Sequence, residues 1–77
     1  MKFRIGDAAT WEGSNGAVGT IMSVVSWRDC ILTMDGTDAT MFTDQIRARC
    51  VGKVEDYQRV AIQIGGSLIW KHSFELS

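Results

Sequence analysis

The chain has 77 residues, 45% of them hydrophobic and 22% charged, with a net charge of −1. That balance excludes a disordered tail, a collagen-like repeat and a long coiled coil. It also removes a global electrostatic case for nucleic acid, whose binders draw most of their affinity from phosphate neutralisation.

No apolar run approaches the roughly 18 residues of a membrane-spanning helix. The start, Met1 to Asp7, carries no apolar stretch after its basic residues, so no secretion signal is read there and a cytoplasmic location is expected. The length fits a single domain over residues 1–77. Two cysteines, Cys30 and Cys50, stand without a CxxC pair, and the one histidine, His72, is remote from them. Four ligands, or three and a water, are needed for zinc. The expectation is therefore two reduced thiols in the core, no metal and no cofactor.

There is no proline, and eight glycines punctuate short runs rich in Val, Ile, Thr and aromatics. Such spacing predicts a small all-β sandwich or barrel. The first run is Ala8–Glu12, followed by the flexible Gly13-Ser14-Asn15-Gly16-Ala17. The second is Val18–Val25, and Ser26-Trp27-Arg28 links it to a third, Asp29–Met34. Asp35-Gly36 between apolar runs reads as a hairpin turn, leading into Ala39–Phe42. Thr43-Asp44-Gln45 suits a single helical or 3₁₀ turn. Ile46–Val51 alternates apolar and basic residues, the pattern of a half-solvated strand. Gly52–Gln58 is a charged connector. Val60–Ile64 and Ser67–Lys71 flank Gly65-Gly66 and predict a hairpin with Ile62 opposite Ile69 and Ala61 opposite Trp70. Both faces of that hairpin are apolar, so both require cover, either from the domain itself or from another subunit.

Residues 5–50 resemble an SH3-like barrel of the KOW and Tudor kind, which implies a barrel over residues 5–51. The likeness rests on Gly6-Asp7, on Gly16-Ala17-Val18-Gly19-Thr20-Ile21, which is similar to the glycine core of KOW motifs, and on Thr43–Ile46 as the 3₁₀ turn before a last strand. It implies a barrel of about five strands, with residues 58–73 added as a C-terminal β-hairpin extension. A second relative shares the layout. The plasmid-borne dihydrofolate reductases are small barrels with a pore-lining strand, which would fall here at Ala39–Phe42. That strand lacks their Gln and Tyr, so a pore-type reductase ranks last among the readings.

The preferred function is non-enzymatic binding of protein, with no catalytic residues assigned. Trp27, between two predicted strands and beside Arg28, is the aromatic best placed for exposure, and a Trp–Arg pair is a composition favoured at interface hot spots. With Asn15 in the glycine loop and Asp35 and Asp38 in the following turn, it forms the expected contact surface. Ile62, Ile64, Ile69 and Trp70 form the expected interface of a homo-oligomer. The alternative is nucleic acid bound through Arg47, Arg49 and Lys53, the only local basic cluster. The glycine loop itself carries no Lys or Arg. His72 is expected at a strand end on the surface.

Overall fold

The computed structural model describes residues 2–77. Its scaffold is a four-stranded antiparallel sheet of β1 (Ala8–Ala9), β2 (Gly19–Ser26), β3 (Gln58–Ile64) and β4 (Ser67–His72), in that spatial order. Two helices, α1 (Trp27–Leu32) and α2 (Gly36–Arg49), and a 3₁₀ turn at Val54–Asp56 lie between β2 and β3. The sheet curls back on itself. After a 3₁₀ turn at Ser73–Glu75 the chain returns to its own beginning, where Trp11 bridges to Leu76. Glu12 N–H donates to the Glu75 carbonyl at 2.9 Å, and Ser77 N–H to that of Thr10 at 3.0 Å. The result is a half-barrel, and its outline is compatible with an SH3-like barrel.

The antiparallel β framework agrees with expectation, but the five strands do not. The segments 29–34, 39–42 and 46–51, read as strands, fall in α1, in α2 and across the end of α2. Side-chain caps explain why. Ser26 Oγ accepts the Asp29 N–H at 3.2 Å, and Asp35 Oδ1 accepts the Asp38 N–H at 2.9 Å. Each satisfies an amide that a helix start leaves without a partner. Asp35-Gly36 is therefore a helix entry rather than a hairpin turn. In α2, Ala39, Phe42, Thr43 and Ile46 are the less exposed positions, spaced three and four apart. Arg47 and Arg49 occupy the last turn, where cations oppose the negative end of the helix dipole. The 3₁₀ turns are Val54–Asp56 and Ser73–Glu75, and Thr43–Gln45 is interior helix.

Residues 58–72 do form antiparallel strands around Gly65-Gly66, with Ile62 opposite Ile69 and Ala61 opposite Trp70. They are the third and fourth strands of the one sheet, not an appendage. One face of that sheet is closed: Ile21, Val60 and Ile62 are fully buried, and Phe3, Trp11, Ile69 and Leu76 pack over them. The packing there demands a glycine. A Cβ on Gly19 would stand 2.3 Å from Ile62 Cγ2. At the helix-bearing end, Trp27, Cys30, Ile46, Val54 and Tyr57 make a second cluster with Phe42 and Phe74 against it. Gln58 links the two ends. Its side chain exchanges hydrogen bonds with Phe3, accepting N–H at 2.8 Å and donating to the carbonyl at 3.1 Å. A buried amide costs little when satisfied in this way.

Candidate protein-contact surface

Strand β3 directs Val60 and Ile62 into the closed core, so Ala61 and Gln63 project from the opposite side of the sheet. Their partners on β4 are Trp70 and Leu68. This places Leu68 and Trp70 two residues apart on one side, where they stay 56% and 45% exposed. Met22, 47% exposed, lies at the irregularity in β2 between Ile21 and Ser23. The Arg59 guanidinium sits over the Trp70 ring, 5.1 Å from its centroid. At an exposed site such stacking contributes about 0.5–1 kcal/mol, enough to bias the indole toward one orientation. Beside Trp70 a recess of about 390 Å³ opens toward the helices, walled by Val25, Cys30, Phe42 and Arg59, with Asp29 also on its lining. A smaller recess of about 150 Å³ shares Phe42, Arg59 and Trp70 and adds Lys71, His72 and Glu75.

Next to Trp70, on the same recess, stands a polar strut. The Tyr57 hydroxyl and His72 Nδ1 are hydrogen-bonded at 2.5 Å. The imidazole stacks on Phe74, with centroids 5.0 Å apart and planes 12° from parallel, and Arg49 covers the same Phe74 ring at 4.6 Å. His72 N–H donates to Glu75 Oε1 at 3.2 Å. Burial holds the imidazole below its ordinary range. Glu75 opposes that shift, while Arg49, Arg59 and Lys71 add to it. Burial likewise pushes the Tyr57 phenol well above its ordinary value. Both groups are thus neutral at physiological pH, as a desolvated pair should be. Tyr57 is only 2% exposed, so the pair joins the 3₁₀ turn at the chain end to the core. His72 is half-buried and hydrogen-bonded, not a free surface histidine. The thiols of Cys30 and Cys50 are free, and burial raises both.

The surface expected around Trp27 is dispersed. Trp27 is buried and stacks on Phe42, centroids 5.6 Å apart and planes 12° from parallel. Its position at the first turn of α1 points it into the aromatic cluster, so it offers no exposed anchor. Arg28 is exposed at the far end of β2 from Asn15, which sits in its loop with a φ of +54°. The eight residues of β2 separate the two by roughly 25 Å of strand. Asp35 caps α2, and Asp38 is exposed in its first turn. Of the expected oligomer residues, Ile62 is fully buried in the domain's own core and is unavailable to a partner. Ile64 and Ile69 are half-buried, and Trp70 alone is exposed. Leu68 and Arg59 lie outside the residues expected for this surface. Leu68 at two residues from Trp70 was the available signal, because alternate residues share a face.

Arg47, Arg49 and Lys53 are all exposed, on the last turn of α2 and the loop after it. The segment 39–42 is helical, so it forms no pore-lining strand. Among the described residues no group of three or more His, Cys, Asp and Glu is placed to hold a metal ion, and no helix is long and apolar enough to cross a membrane. No family model, no curated protein and no solved structure matches this chain.

Proposed function

We propose that the protein is a small non-enzymatic module with an SH3-like sheet, and that it binds protein through the outer side of β4. One observation carries the reading. Leu68 and Trp70 project together from one side of the sheet, while the reverse side is sealed by the chain's own Phe3, Trp11 and Leu76. Large apolar side chains left exposed side by side on one strand are the starting point of an interaction surface. Tryptophan and arginine together, here Trp70 beneath Arg59, are the side chains that dominate interface energetics. The SH3-like reading draws support from the sequential antiparallel order and from the return of the chain end to residues 10–12.

The test is affinity capture from a cell lysate, wild type beside Trp70→Ala, with Val51→Ser as a control at a fully exposed position outside the surface. Loss of captured protein with Trp70→Ala alone is expected. Equal recovery of every species by the two would end the reading. Nucleic acid through Arg47, Arg49 and Lys53 is the second reading, favoured by their exposure on adjoining segments. It predicts affinity that falls steeply with added salt, whereas an apolar contact is much less sensitive.

A further inference from the structure

We infer that the partner at β4 is a second copy of this chain, joined edge to edge by antiparallel pairing of the two β4 strands with Leu68 opposite the partner's Trp70. The inference rests on the reading of β4 as the contact surface and adds the occupant and the register. The sheet order leaves β4 with a neighbour on one side only. The hairpin closes through two residues, with positive φ at Gly65 and not at Gly66, the pattern of a II′ turn. In such a hairpin the residues flanking the turn, Ile64 and Ser67, exchange hydrogen bonds. Along β4, Ser67, Ile69 and Lys71 then bond inward to β3, and Leu68, Trp70 and His72 aim N–H and C=O outward. The structure bears this out at His72, whose N–H reaches away from β3 to Glu75 Oε1.

The outward groups of Leu68 and Trp70 are the open part of the edge. The β1 side of the sheet, by contrast, is closed by the chain's own residues 75–77. The open groups are self-complementary. With Ile69 of the two copies facing each other across a twofold axis, Leu68 and Trp70 each exchange both bonds with the partner copy, about four hydrogen bonds in all. Sliding the strands by two residues in either direction leaves one fully exchanged pair, Leu68 with Leu68 or Trp70 with Trp70 of the partner copy, in place of two. One slide drives Trp70 against the Gly66 turn, and the other needs the His72 N–H that Glu75 already holds. The chosen register also sets each Leu68 beside a Trp70 on the same side of the joined sheet, a cross-strand apolar pair. It sets Lys71 opposite the partner copy's Ser67, so the two lysines do not oppose one another. β4 carries no proline and no bulge, and Lys71 is the one charged side chain in its six residues that could blunt the edge.

The test combines light scattering over a concentration series with amide exchange read by NMR on the intact chain. A twofold edge contact closes, so the expected particle is a dimer and nothing larger. As it forms, the Leu68 and Trp70 amides slow by about tenfold or more, while Ser67 and Ile69 are protected at every concentration. Leu68→Pro removes an outward N–H and no ladder bond, and is expected to weaken association by about tenfold or more. A monomer at every concentration overturns the pairing, as does a larger particle. A dimer in which the Leu68 and Trp70 amides stay fast also overturns it. Exchange in the wild type decides the matter even if the proline variant unfolds. In each of those failures, capture with Trp70→Ala separately decides whether β4 still binds some other protein.

Discussion

The two core clusters of this small domain are built from different materials. On the closed face, Ile21, Val60 and Ile62 bury pure hydrocarbon with no atom to protonate and no hydroxyl to satisfy. At the helix-bearing end, Trp27, Tyr57, Phe42 and Phe74 enclose a thiol, a phenol and an imidazole. The hydrocarbon cluster should hold the fold with little regard to pH. The aromatic cluster fixes α1, α2 and the chain end, and its stability is tied to the protonation of His72. Burying apolar area without polar cost is the stronger contribution per residue.

The largest effect belongs to the hydrocarbon side. Ile62→Ala removes buried methyl groups beneath a tightly packed Gly19 and should cost about 2–5 kcal/mol, read as a lower urea midpoint. A loss below about 1 kcal/mol would mean that this cluster is not the main support. A smaller effect is expected at the entry to α2. Asp35→Ala leaves the Asp38 N–H without its cap, and about 1 kcal/mol should be lost. Asp35→Asn, which keeps the acceptor, should recover most of it.

The third prediction sharpens the contrast through pH. Folding depresses the His72 pKa below its ordinary 6.5, so the unfolded chain takes up the proton first as pH falls. The stability associated with the neutral ring is therefore intact above about 6.5 and declines as pH drops from there toward the folded value. His72→Gln should flatten that decline in the urea midpoint. An unchanged slope in the variant would place the dependence elsewhere.

Much of the sheet was legible locally. Gly65-Gly66 between two apolar runs names its own turn, and the turn sets the register that places Trp70 opposite Ala61. The middle of the chain misled because one signal has two meanings. Asp35-Gly36 suits a hairpin, yet an aspartate with a second acid three residues on also suits a helix start. Ser26 with Asp29 repeats the pattern. The stretch 46–51 alternates as a strand does, but the helix stripe from Ala39 through Phe42 to Ile46 overrides it once caps are present. Trp27 could not be placed for the same reason, because the direction of its side chain depends on whether residue 27 begins a helix.

By itself the sequence determined the strands that glycines bound tightly, the two-residue turn and a net charge of −1, which supplies no global attraction for phosphate. These depend on backbone freedom and charge, which each residue carries wherever it lies. Only the tertiary structure decided which apolar residues are covered. Ile62 and Trp70 look equally suited to an interface in the sequence, but Phe3 and Leu76, from opposite ends of the chain, close over the sheet on Ile62's side and not on Trp70's. Burial is a property of distant partners meeting, and no local pattern encodes which face they will reach first.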